Sequence, residues 1–129
     1  MEMEQAMAIE VRVVQDGLVH VSPTTPLDLY NAKELLREAA QASSENGAVA
    51  VMIDARNTSS QLTIGTLWHL ASGMSECASG FRGRTAVLTR PDRLELGRFF
   101  ALSGQNRGFE VRAFSDYEEA LAWLREKHA

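Results

Sequence analysis

The sequence predicts an α/β protein, a mixed β-sheet with an N-terminal antiparallel hairpin and four main α-helices in the order ββαβαβαβα. Two alternating segments on either side of Gln15-Asp16-Gly17 predict the hairpin, because glycine accepts the positive φ of a tight turn. Three later apolar runs, separated by amphipathic stretches, predict strands joined by helical crossovers and therefore parallel. The chain has 129 residues, 45% of them apolar, which suits one domain with a single core, expected over residues 8–128.

Residues Met1 to Met7 are polar or small without a period and read as a frayed start. Ile9 to Val13 alternates apolar and polar residues, and Leu18 to Ser22 resumes the alternation. Thr25-Pro26-Leu27-Asp28 offers a threonine cap, a proline at the first helical position and an acid in the first turn, so a first helix is expected there, ending before Gly47. Leu29, Ala32, Leu36 and Ala39 form its apolar face. Val49 to Ile53 is continuously apolar, as a strand covered on both faces should be, and is placed at the centre of the sheet.

Turn and capping residues follow Asp54, with Ser59 or Ser60 expected as the cap of a second helix. Ile64, Leu67, Trp68, Ala71, Met74 and Ala78 set its inward face, and Gly80 closes it. Thr85 to Leu88 is the next strand. Pro91-Asp92 starts a third helix whose Leu96, Phe99 and Phe100 point inward until Gly108 stops it. Phe109 to Phe114 is the last strand, and Ser115-Asp-Tyr-Glu118 reads as a capping box for a final helix that buries Leu121, Leu124 and part of Trp123.

Composition narrows the function. The lone Cys77 cannot form an internal disulfide and no segment has the pattern of a secretory leader, so a cytoplasmic location is expected. No apolar run approaches the roughly 20 residues that cross a bilayer, so an integral membrane segment is not expected. The net charge of −4 is uneven: ten acids face four bases up to Phe81, whereas Arg82 to Arg112 holds seven arginines against three acids. Arginine forks suit carboxylate or phosphate recognition, but the overall acidity argues against nucleic acid as a partner.

No catalytic constellation is found. Asp54 ends the central strand, where a phosphoaccepting aspartate of a receiver domain would stand, but the acidic pair and the lysine that such a site needs are absent, and capping of the following turn is its simpler role. His20, His69 and His128 have no cysteine or acid at metal-ligand spacing, so no metal site is expected. Cys77 lacks a histidine partner and reads as a small core residue, while Gly80-Phe-Arg-Gly83 lacks the Lys-Ser/Thr of a nucleotide loop. The chain is expected not to be an enzyme and to need no cofactor.

Three stretches carry a family resemblance: Val51-Met-Ile-Asp54-Ala-Arg56, Ala86-Val-Leu88, and Gly108-Phe-Glu-Val-Arg-Ala-Phe114-Ser-Asp116-Tyr-Glu-Glu-Ala120-Leu-Ala-Trp123-Leu124. In these, over roughly residues 8 to 125, the chain resembles the STAS superfamily and within it the SpoIIAA-like (STAS/SEC14-type) bacterial proteins. The resemblance implies a regulatory, protein-interacting module. Anti-anti-sigma members carry Asp-Ser-Ser-Gly at the start of the second helix and are phosphorylated on serine; this chain has Ser60-Gln-Leu-Thr63-Ile-Gly65 there instead.

Two functional classes follow. In the first, the module docks on a regulatory protein through the second helix and its preceding loop, with Thr58, Ser59, Ser60 and Thr63 as candidate phosphoacceptor or docking residues. In the second, suggested by the likeness of SpoIIAA-like proteins to lipid-exchange domains, the chain carries a small amphipathic ligand. Its tail would lie against Leu67, Trp68, Phe99 and Phe100, with an anionic head near Arg90, Arg93 or Arg98. A homodimer is a further candidate state.

Overall fold

The computed structural model describes residues 9–14 and 17–126. The expected frayed start, the turn residues Gln15 and Asp16, and the terminal residues reaching the expected domain limit at 128 lie outside the described residues. Strands β1 (Ile9–Val14) and β2 (Leu18–Pro23) form the hairpin, and Gly17 between them takes φ +74° as the turn requires. The chain then runs through α1 (Leu29–Glu45), β3 (Ala50–Asp54), α2 (Ile64–Glu76), β4 (Arg84–Leu88), α3 (Leu94–Gln105), β5 (Glu110–Phe114) and α4 (Tyr117–Arg125). The five strands lie in the order β1-β2-β3-β4-β5, antiparallel at the first pair and parallel thereafter.

That order decides where the helices go. Right-handed crossovers that always step in the same direction across a sheet deliver every crossover helix to the same face. Residues of α1, α2 and α3 accordingly share one core with Val19, Val21, Val51, Ile53, Val87 and Val111. The opposite face presents Leu18, Ala50, Met52, Ala86 and Leu88, and among the described residues α4 covers it, through Ala120 and Leu124. With helices on both faces, β3 is buried along its whole length, as its unbroken apolar run requires.

Element starts differ from expectation in four places, each for a local reason. Leu27 pairs as an isolated bridge with Ser60, its N–H donating to the Ser59 carbonyl at 2.9 Å and its own carbonyl accepting from Gln61, so the backbone is still extended where Thr25 and Pro26 were expected to start α1. Asp28 is the cap instead, accepting from the Asn31 N–H at 2.8 Å. The same bridge holds Ser59 and Ser60 out of α2, which Thr63 caps reciprocally with Thr66. Pro91 opens a single 3₁₀ turn, Pro91–Arg93, before α3, and Asp116 rather than Ser115 caps α4.

Trp68 does not face inward. Leu67, Leu70, Ala71, Gly73 and Met74 form the buried arc of α2, and at 100° per residue Trp68 stands roughly 120° from the middle of that arc. It is 50% exposed, with the Arg107 guanidinium 4.8 Å from its ring. Trp123 is half-buried beside Phe114, with Arg84 and Arg112 over the indole at 4.8 and 5.2 Å.

One close approach tests this packing. A Cβ on Gly83 would fall 1.8 Å from the Val49 carbonyl oxygen, a backbone atom that cannot swing aside, whereas a Cβ on Gly65 meets open space. Gly83→Ala is expected to cost about 3 kcal/mol, and Gly65→Ala to be neutral or to stabilise by up to about 1 kcal/mol. Urea unfolding of the two variants checks this, and equal midpoints would contradict it.

Candidate functional site

A cavity of about 350 Å³ lies at the carboxyl ends of β3 and β4, enclosed by α1, α2 and α3. Ligands of open parallel sheets are held at this end, where successive loops diverge. Leu35 and Leu36 of α1, Ile53, Leu67, Val87 and Phe100 make its apolar walls, and Leu27 closes it from the loop before α1. The rim is polar: Thr58, Ser59 and Ser60 on one side, Thr89, Arg90, Asp92 and Arg93 on the other. An apolar chamber with charge confined to its mouth can take an apolar tail and orient a charged head.

The candidate residues from both functional classes meet here. Leu67, Phe100, Arg90 and Arg93 line the cavity together with Thr58, Ser59 and Ser60. Trp68, Phe99, Arg98 and Thr63 do not line it. Arg98 points to solvent and pairs with Glu95 one turn earlier on α3, at 2.9 Å. Arg90 is held bidentately by Asp92, at 3.1 and 2.9 Å, and Arg93 donates to the Ser60 carbonyl across the mouth. The hydroxyls differ in availability: Thr58 donates to the Thr25 carbonyl at 2.7 Å, Ser60 accepts from the Leu62 N–H, and Thr63 is occupied as the cap of α2, while Ser59 is exposed.

The loop carrying this rim is tied down from the far face of the sheet. Asp54, 2% exposed, accepts from the Arg56 backbone N–H at 3.1 Å and from the Arg56 guanidinium through both oxygens at 2.9 Å. It also meets His20 Nε2 at 3.2 Å. Arg12 of β1 reaches the other ring nitrogen of His20, Nδ1, at 3.0 Å. A guanidinium only donates, so Nδ1 is the acceptor and the ring hydrogen sits on Nε2, donating to Asp54. Burial alone would push the Asp54 carboxyl up; the hydrogen bonds from His20 and Arg56 outweigh it and hold the group well below the usual carboxylate range.

Asp54 thus caps the turn after β3, as expected, but it also joins three strands and a loop in a cluster that sequence reading missed. The available signal was the hairpin register, which places Arg12 opposite His20. Cys77 ends α2 half-buried and donates to the Gly73 carbonyl at 3.2 Å, and burial pushes its thiol up, away from reactivity. Among the described residues no three His, Cys, Asp or Glu side chains converge as metal ligands, and no helix is long and apolar enough to cross a membrane.

This fold, a five-stranded mixed sheet with three crossover helices on one face and a terminal helix on the other, is that of the STAS superfamily. The sequence matches the SpoIIAA-like family over residues 18–125, and the chain belongs to that family. Among solved structures, the unphosphorylated anti-sigma factor antagonist SpoIIAA superposes with a TM-score of 0.57 at 18% identity, covering 95% of this chain and 100% of that one. The phosphorylated form of the Bacillus cell fate determinant SpoIIAA gives 0.53 at 18% identity over 92% of this chain and 100% of its own. A Shewanella loihica protein with a SpoIIAA-like fold gives 0.57 at 17% identity over 96% and 98% of the two chains. No protein of curated function matches by sequence.

The cluster around Asp54 makes a pH-dependent prediction. A carboxyl held below its unfolded value leaves the folded state with fewer bound protons in acid, so its contribution is fully present above about pH 4 and is lost as the pH falls below that toward the folded value. Asp54→Asn is expected to lower stability at neutral pH by about 3 kcal/mol, since it removes the carboxylate to which the buried His20 N–H and the half-buried Arg56 guanidinium both donate. It should also flatten the acid decline. Urea unfolding repeated from neutral to acidic pH would refute this if both proteins lost stability in parallel.

Proposed function

We propose that the chain is a non-enzymatic regulatory module that binds another protein through α2 and the loop before it. The observation that carries this reading is the surface of α2. From Ile64 to Ser75 the helix holds no Lys, Arg, Asp or Glu, yet Ile64 is 57% and Trp68 50% exposed. A solvated helix face normally carries charges of its own, so a face that lacks them and exposes Ile64 and Trp68 is one that a partner can cover. Ser59 is the rim hydroxyl best placed to accept a phosphate, which would add about two negative charges next to Arg90 and Arg93 and change the face a partner meets. One of the SpoIIAA structures that share the fold is of a phosphorylated form, which supports a switch of this kind.

The cavity supports a second reading, in which the module carries or senses a small amphipathic ligand whose tail occupies the chamber and whose anionic head meets Arg90 and Arg93. The two readings separate experimentally. Under the docking reading, Trp68→Glu should abolish capture of partners from a lysate while Trp68→Ala alters unfolding stability by less than about 1 kcal/mol, as exposed positions do. Capture unaffected by the charge would refute it. Under the carrier reading, an organic extract of the purified protein should yield a bound amphiphile by mass spectrometry, lost in the Arg90→Gln, Arg93→Gln double variant. An empty extract from the wild type would refute that.

A further inference from the structure

The two edges of the sheet are finished differently. At one edge, β5 has its helix-side residue Val111 buried to 1% exposure, Glu110 within 3.7 Å of Arg84, and Arg112 over the Trp123 ring. The other edge, β1, is open among the described residues. Its helix-side residues Val11 and Val13 are 42% and 55% exposed, although their partners across the hairpin, Val21 and Val19, are fully buried. Among the described residues nothing pairs with the outer side of β1.

Edges left open are normally protected by a bulge, a proline, charged side chains or a short strand. Strand β1 has no bulge and no proline, and its charges are limited to Glu10 and Arg12: six residues, Ile-Glu-Val-Arg-Val-Val, pair with β2 without a register break from Ile9 opposite Pro23 to Val14 opposite Leu18. Its two charges are of opposite sign and two positions apart, both on the side of the sheet away from Val11 and Val13. That spacing gives the strand one self-complementary register. About a two-fold axis perpendicular to the sheet at Val11, Val11 faces its own copy, Ile9 faces Val13, and Glu10 faces Arg12 twice. Centring the axis on Glu10 or Arg12 would set like charges opposite each other, which cross-strand pairing disfavours. Arg12 has N–H groups to spare beyond the one it gives His20.

From this register we infer that β1 is the contact through which a second copy of this chain binds, joining two five-stranded sheets edge to edge with α1, α2 and α3 of both copies on one side. The inference is independent of the reading of α2 and the cavity. Sedimentation equilibrium of the full chain is expected to give a dimer mass. Glu10→Arg sets arginine against arginine and should yield a folded monomer with the wild type's far-UV circular dichroism and a melting curve that no longer depends on protein concentration, since Glu10 is exposed. Arg12→Glu sets glutamate against glutamate and should also be monomeric. An equimolar mixture of the two variants restores both opposite-charge pairs and should recover the dimer as a heterodimer. Should Arg12→Glu fail to fold through loss of the His20 contact, the loss of dimer in Glu10→Arg decides alone. A wild type that stays monomeric at high concentration, a Glu10→Arg variant as dimeric as the wild type, or a dimer abolished by Trp68→Glu would overturn the inference.

Discussion

A carboxylate taken out of water must be matched completely, and Asp54 is where this chain meets that demand. Each group that satisfies it brings a separate part of the structure into register. His20 ties β2 to β3, and Arg12 orients His20 from β1, so the antiparallel edge is locked to the parallel body by a polar chain as well as by backbone ladders. Arg56 satisfies the same carboxylate from the other direction and so fixes the first turn of the loop to α2. Its guanidinium also lies 5.6 Å from the ring of Tyr117 at the start of α4. The loop that shapes the cavity mouth on one face is thereby held from the opposite face.

The rim of the cavity and the start of α2 share that loop. Residues 55–63 leave β3, bridge to Leu27 ahead of α1, touch Arg93 ahead of α3, and end in the cap of α2. A group that displaced Arg93 from the Ser60 carbonyl would remove a hydrogen bond crossing the mouth, immediately before the helix that exposes Ile64 and Trp68. The cavity mouth and the start of α2 are thus connected through a segment of nine residues.

Much of the fold was legible because it depends on periodicity. Unbroken apolar runs marked β3 and β4, alternation with Asp16-Gly17 marked the hairpin, and Gly47 and Gly108, at φ +59° and +94°, marked where α1 and α3 could not continue. What was not legible depends on long-range pairing. Thr25-Pro26 has the local chemistry of a helix start, but the bridge of Leu27 to Ser60, thirty-three residues on, and the Thr58 hydroxyl on the Thr25 carbonyl keep that segment extended. Trp68 was placed inward with Ile64, Leu67 and Ala71 on helical spacing, and its exposure follows once Leu67, Leu70 and Gly73 define the buried arc. At the candidate site, Arg90, Arg93, Leu67 and Phe100 converge as their elements suggested, whereas Arg98, five residues after Arg93, lies on another side of its helix. The His20–Asp54 contact joins residues thirty-four apart and needed the β2 to β3 register, which no local pattern contains.

The strand order carries one more consequence, for how the chain is made. Because spatial order equals sequence order, every new strand docks on the outer edge of the one just before it, and none has to be inserted between two that are already paired. Domains emerge from the ribosome from the amino end at about 5–20 residues per second. This one can lay down its sheet in the order of synthesis, the hairpin first and each helix–strand unit in turn. Only α4, which closes the face that α1, α2 and α3 leave open, comes after the last strand.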